Sequence, residues 1–247
     1  MINCSILICT KNEELDLQEC VNSVNWSNDI VIYDSYSTDR TEEISKALNV
    51  RFIQRPGQDK SKAFGGDESF HRNWGLKNIN FINPWIFILD ADERCTESCF
   101  QSISNVISSP INKIKDVGFK FERRDFLNNT HLKHVQASRY YIRLVRPEFI
   151  DYNRLINCSM DINGTIGKLN GFIDHYPFSK GIHHWIEKHN NYSSFEAKEI
   201  KKLGNLSIKD IYLAFFDKNF FNRRVKQKKL FYKLPLRPLI KFIILYF

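Results

Sequence analysis

Glycine and proline are scarce, 10 and 7 of 247 residues. That excludes collagen-like and low-complexity chains, and with 43% apolar and 14% aromatic residues it excludes intrinsic disorder. None of the cysteines (Cys4, Cys9, Cys20, Cys95, Cys99, Cys158) forms a C-x-x-C pair, and no histidine cluster sits nearby at zinc-finger spacing. Several lie in apolar stretches, which predicts buried free thiols in a reducing cytosol. The opening Met1-Ile2-Asn3-Cys4 has neither a basic n-region nor a small-residue cleavage site, so no signal peptide is expected. The apolar run Phe242–Phe247 reaches six residues, and a membrane span needs about 20. A G-x-x-x-x-G-K-[ST] loop, a G-x-G-x-x-G turn after the first strand and a G-x-S-x-G elbow are all missing. These absences argue against a P-loop nucleotidase, a dinucleotide dehydrogenase and an α/β-hydrolase.

Acidic residues are missing from Lys218 to Phe247, where nine basic residues fall. The net charge of +8 therefore belongs to this tail, and residues 1–217 are nearly neutral. The basic residues are interleaved with Phe220, Phe221, Leu230, Phe231, Leu234 and Leu236. A basic segment with an apolar face fits an anionic membrane surface better than nucleic acid.

What is present is strand–helix alternation. Strands are predicted at Ser5–Thr10, Asp29–Asp34, Val50–Gln54 and Trp85–Asp90, with helices over Asn12–Val24, opening at Thr38-Asp39-Arg40-Thr41-Glu42, and over Glu68–Asn78. WIFILD is apolar up to its last residue, as expected when both faces are covered. The alternation predicts an α/β fold with a mainly parallel central sheet flanked by helices. Beyond residue 115, half-buried strands are predicted near 117–124, 140–146 and 166–174, then helices over 182–202 and 208–221. Residues 1–205 read as one domain and 206–247 as a basic amphipathic helical tail.

Ligands of open parallel sheets bind beyond the carboxyl ends of the strands. Three predicted strands end in polar segments: Thr10-Lys11-Asn12-Glu13-Glu14, Asp34 to Asp39, and Asp90-Ala91-Asp92-Glu93. Carboxylates gathered at one edge repel unless a cation compensates, so a divalent metal or a bound ligand is expected. Asp90-x-Asp92 supplies hard oxygen ligands suited to Mg²⁺ or Mn²⁺, which bridges phosphate oxygens and stabilises a departing pyrophosphate-type group.

The segments ILICTKNEE (6–14), DIVIYDSYSTDRT (29–41), HRNWGL (71–76) and WIFILDADER (85–94) resemble the nucleotide-sugar core of family 2 glycosyltransferases, which have the GT-A fold. HYPFSKGIHHWIEKHNNYSSFEA (175–197) is similar to the branch containing bacterial β-1,4-glucosyltransferases of lipopolysaccharide core. The resemblance implies that Thr10, Asn12 and Glu13 line a nucleoside pocket. It implies that Asp34 contacts base or ribose, with Asp39 nearby, and that Arg72 faces the diphosphate or sugar. Asp90 would touch ribose or metal-bound water, and Asp92 and His175 would ligate the metal. One departure stands out. Relatives carry Val-His-Glu where this chain has Ile156-Asn157-Cys158, so the customary acidic residue is missing. Inverting transfer needs a base within reach of the acceptor hydroxyl. Asp161 is the closest replacement in sequence, and Asp151 is second.

The expectation is a metal-dependent inverting hexosyltransferase. It would move glucose from a UDP-sugar to a lipopolysaccharide-core or lipid-linked saccharide, peripheral on the cytoplasmic face of the inner membrane. The alternatives are a sugar nucleotidyltransferase and a non-catalytic nucleotide-sugar-binding protein.

Overall fold

The computed structural model describes residues 1–134, 139–153, 158–202, 205–217 and 220–246. The chain begins with β1 (Ile2–Thr10), α1 (Leu17–Asn22), β2 (Ser27–Asp34), α2 (Thr41–Ala47), β3 (Arg51–Gln54), α3 (Glu68–Asn78) and β4 (Ile86–Asp90). It continues through β5 (Glu93–Cys95), α4 (Glu97–Ile107), β6 (Asp116–Leu127), β7 (Thr130–Leu132), β8 (Tyr140–Val145), β9 (Ile150–Asn153), β10 (Ser159–Ile162) and β11 (Thr165–His175). The last helices are α5 (Gly181–Lys202), α6 (Ile208–Phe216), α7 (Phe220–Lys233) and α8 (Arg237–Tyr246).

The strands order as β3-β2-β1-β4-β8-β6-β11-β5, with β7 added on β6. From β3 to β4 every ladder is parallel, as the alternation of strands and helices predicts. Beyond β4 the sheet is mixed. β8 runs antiparallel to β4 and β6, β6 pairs parallel with β11, and β5 closes antiparallel on β11. The sheet is thus parallel only in its first half, because its later strands return through hairpins and short loops rather than crossover helices. A second, two-stranded sheet pairs β9 with β10.

Alternation along β1 sorts the core. Ile6 and Ile8 pack with Leu17, Cys20, Phe87, Leu89 and Ile103 on one face. Leu7 and Cys9 pack with Val31, Tyr33, Leu76, Ile86 and Ile88 on the other. All six cysteines are free, and Cys4, Cys9, Cys20, Cys95 and Cys99 are buried as expected. Gly75 lets α3 close on Tyr33, since a Cβ there would meet the Tyr33 ring at 2.7 Å. α4 is not among the expected helices, although Thr96 accepts from the Cys99 N–H as its cap. The helix expected over 208–221 ends at Phe216, where Asp217 turns extended; α7 starts afresh at Phe220.

The chain forms two compact units. One holds residues 1–133 and 138–185, the other 134–137 and 186–247. The division falls inside α5, 20 residues before the expected boundary at 205–206. In the second unit, Lys226 (2.6 Å) and Lys229 (2.7 Å) both bind Asp210, tying α7 to α6. No described helix is long and apolar enough to cross a membrane.

Candidate active site at the carboxyl edge of the sheet

Strand order reverses between β1 and β4, and register carries the polar residues to that point. Thr10 stands opposite Asp34, and Cys9 opposite Asp90. Topology alone therefore brings the carboxyl ends of β1, β2 and β4 to one rim.

At the end of β2 the polar residues satisfy one another. Asp34 is fully buried, and its carboxylate accepts from Thr10 Oγ1 (2.8 Å), Ser37 N (2.7 Å), Ser37 Oγ (2.6 Å) and Gln54 Nε2 (3.2 Å). Thr10 is fully buried too. Asn12, at φ 57°, donates its N–H to Ser37 Oγ (2.7 Å) and accepts the Thr38 N–H (2.8 Å). Asp39 accepts from Glu14 N (3.0 Å), Thr41 N (3.0 Å) and Thr41 Oγ1 (2.6 Å). Burial pushes the Asp39 carboxyl up, but these bonds outweigh it and hold it below its usual value. Glu13 pairs with Lys180 at 2.8 Å. Thr10, Asn12, Asp34 and Asp39 thus staple the β1 and β2 loops together.

The end of β4 is organised by full charges. Arg72 from α3 reaches Asp90 (2.9 Å) and Glu68 (2.8 Å), with the Tyr152 ring 5.6 Å away. Arg143 from β8 donates to Asp90 Oδ2 (3.0 Å) and to Glu93, which is fully buried. Arg123 from β6 stands 3.6 Å from Glu93. Burial pushes the Asp90 carboxyl up, but the Arg143 and Arg72 guanidiniums overcome this and hold it well below the carboxylate range. Burial also pushes Glu93 up, and with Asp90 beside it Arg143 and Arg123 do not fully reverse the shift. The sequence singled out Asp90 and Arg72 but not Arg143, Arg123 or Glu93. The available signal was an arginine inside the otherwise apolar strand YYIRLV.

Two residues beyond Asp90, Asp92 Oδ2 lies 3.3 Å from His175 Nε2. The other imidazole nitrogen, Nδ1, bonds Asp125 Oδ1 at 2.5 Å, and His175 and Asp125 are ladder partners between β11 and β6. Burial lowers the affinity of His175 for a proton. Asp92 and Asp125 more than reverse that and raise its pKa to about 9. Asp125 is a further residue that the sequence did not single out.

The two candidate bases sit elsewhere. Asp151 and Asp161 face one another across the β9–β10 pair, both exposed. Alternation turns Asp151 away from Tyr152, the residue beside Arg72, and Asp151 instead pairs with Lys77. Neither joins the Asp90–Asp92 cluster. Ile156 and Asn157 lie outside the described residues.

Comparison with known proteins matches these features to one family. The glycosyl transferase family 2 model matches residues 5–163. A glycosyltransferase of Rickettsia typhi is 28% identical, the match covering 89% of this chain and 77% of the relative. The lipopolysaccharide core biosynthesis glycosyltransferase LpsC of Rhizobium meliloti is 25% identical over 98% of this chain and 80% of its own. Among solved structures, S. aureus TarS 1–349 superposes with a TM-score of 0.52 at 13% identity, covering 98% of this chain and 78% of that one. The same TarS segment in complex with UDP superposes equally well, at 15% identity. The mixed α/β architecture is the GT-A fold, and the chain belongs to glycosyl transferase family 2.

Proposed function

We propose that the protein transfers a hexose, glucose, from a UDP-sugar to a hydroxyl of a lipopolysaccharide-core or other lipid-linked saccharide, with inversion, using Mg²⁺ or Mn²⁺. The observation that carries this reading is the Asp92–His175 pair beside the arginine-clamped Asp90, at the point where strand order reverses. A hard carboxylate and an imidazole Nε2 at 3.3 Å are a donor set suited to Mn²⁺. The carboxylate on Nδ1 is the outer partner that a ligating histidine needs. Among the described residues no group of three such side chains gathers, so Asp92 and His175 are the side chains that would hold the ion. When bound, the ion neutralises charge on the departing diphosphate. Arg72 and Arg143 hold Asp90 ionised and in place, and Thr10, Asn12, Asp34 and Asp39 hold the loops that form the nucleoside pocket with Glu13. Of the two bases, Asp161 is the better assignment, because Lys77 already pairs with Asp151. The relative named for lipopolysaccharide core biosynthesis supports the acceptor class, and UDP in the TarS complex supports the nucleotide.

The test is UDP release from a panel of UDP-sugars with and without Mn²⁺. A transferase hydrolyses its donor slowly without acceptor, a nucleotidyltransferase needs NTP, and a binding protein releases nothing. Calorimetry then compares Asp92→Ala with the parent protein. The metal-dependent part of UDP affinity should vanish in the variant, and an unchanged affinity would sink the assignment.

The second unit supports peripheral attachment to an anionic membrane, on the cytoplasmic side where such an acceptor is made. Lys226 and Lys229 are committed to Asp210, and Lys228 lies 3.2 Å from Glu196, so charge alone carries less than a count of nine implies. α6 compensates. Ile208, Ile211, Tyr212, Phe215 and Phe216 recur at helical spacing, and all are exposed. Leu239, Phe242 and Ile243 repeat the pattern on α8. Sedimentation with anionic and neutral vesicles should favour the anionic ones and weaken with salt. A chain ending at Asn205, which lacks α6, α7 and α8, should bind less than the full chain, and equal binding by both returns the tail to ordinary packing.

A further inference from the structure

A second cleft opens beside the Asp92–His175 pair. It encloses ≈ 470 Å³, within the range of small-ligand sites, about 300–1,000 Å³. Three chain segments run directly from the pair and its anchor into the walls. Asp125 is followed by Phe126, His175 by Tyr176, and Asp92 by Glu93 and Arg94. The Tyr176 N–H donates to the Asp92 carbonyl at 2.8 Å, so the wall and the pair are tied through backbone as well. We propose that this cleft binds an uncharged pyranose unit of the saccharide acceptor, an assignment that rests on the transferase reading above.

The lining carries the argument. Phe126 and Tyr176 stack with centroids 5.4 Å apart at 20°, and Phe178 extends the aromatic wall. Such rings give rigid apolar contact to the C–H faces of a sugar. The floor is fixed by Asp16, which is nearly fully buried and held by Arg94 (3.2 Å) and by the Ser179 hydroxyl. Arg94 also donates to the carbonyls of Ala91 (2.8 Å) and Glu93 (3.0 Å), and its guanidinium carbon lies 5.6 Å from the Tyr176 ring centroid. Three of its five N–H donors are thereby committed to the protein. At the mouth stand Glu19, Asn128 and Asn129, all exposed. The two asparagines form the tight β6–β7 turn, both at positive φ (46° and 63°), where asparagine is tolerated. A carboxylate and two amides offer the paired donors and acceptors that neighbouring hydroxyls need. With Asp16 and Glu19 against Arg94, the lining carries one net negative charge, which disfavours phosphate and fits a neutral polyol.

Saturation-transfer NMR on the full chain, with methyl glycosides of glucose, galactose and mannose, tests the assignment. At least one glycoside should receive saturation from the protein. Glu19→Ala should weaken it about tenfold, and Asn129→Gly, which keeps the turn conformation, several-fold. Both variants should bind UDP with parental affinity by calorimetry. Inorganic phosphate should not displace the glycoside. Absence of saturation for every glycoside, parental response in both variants, or displacement by phosphate would each overturn the cleft. Donor hydrolysis by the parent protein reports separately. Glycoside binding without hydrolysis removes the transferase reading and leaves the cleft a sugar-binding site stripped of its acceptor role, and hydrolysis without glycoside binding keeps the transferase and overturns the cleft.

Discussion

The ends of β2 and β4 lie on one rim and both are rich in carboxylates, yet they are built differently. At β2, Asp34 and Asp39 are held by hydroxyls and N–H groups. At β4, Asp90 and Glu93 are held by three arginines, and Asp92 by a histidine. Neutral donors can satisfy a buried carboxylate completely and leave it inert, which makes a scaffold. Ionic partners hold a buried carboxylate charged in a low-dielectric setting, and removing one of them leaves that charge short of compensation. His71 is a third arrangement. It is fully buried and stacked on Tyr33 at 4.0 Å, and neither ring nitrogen has a hydrogen-bond partner among the described residues.

Breaking the ionic end should have the largest effect. Arg143→Ala strips Glu93 and Asp90 of their shared partner; Arg123 and Arg72 remain, so the loss should approach but not exceed the about 3–5 kcal/mol of an uncompensated buried charge. Denaturant unfolding should register this, and Arg143→Met with Glu93→Gln should recover part of it. Recovery of nothing would mean that the cluster serves packing alone.

Two asparagine substitutions then separate scaffold from site. Asp34→Asn should lower stability by about 1–3 kcal/mol, because an amide NH₂ would face donors. Asp125→Asn should leave stability closer to the parent and weaken Mn²⁺ binding, read by calorimetry with UDP, about 10–100-fold. If the two exchange phenotypes, the division of the rim is wrong.

At neutral pH, where the imidazole is uncharged whether the chain is folded or not, the smallest effect is on His71. Burial, with Arg55 and Arg72 nearby, lowers its pKa to about 3. The unfolded chain titrates near the ordinary histidine value, about 6.5. Stability from the neutral imidazole is therefore fully present above that value and falls as pH drops toward 3, by at most about 1.4 kcal/mol per pH unit. His71→Phe keeps the stack on Tyr33 and should flatten that part of the acid unfolding curve. An unchanged slope between pH 6.5 and 3 would place the acid sensitivity elsewhere.

Much of the first half of the chain is legible from residue order alone. β1 and β4 are apolar on both faces, so continuous runs mark them, and polar residues immediately after them mark a carboxyl edge. α4 is legible too. Cys99, Ile103, Val106 and Ile107 carry helical spacing, and Thr96 is a capping residue. The later strands are harder, since half-buried antiparallel strands leave short, weak patterns. β9 and β10 have four residues each.

The sequence by itself determined the parallel half of the sheet, the acidic rim and the basic, aromatic tail, because each is written in residues close together along the chain. Only the tertiary structure decided which carboxylates are held by neutral donors and which by charged ones. Asp34 and Asp90 look alike as strand-ending aspartates. Their difference comes from Ser37 and Gln54 on one side and Arg143 on the other, and Arg143 stands 53 residues beyond Asp90. Asp125 meets His175 across 50 residues through strand register. Charge pairing of this kind depends on which strands become neighbours, and local periodicity does not encode that.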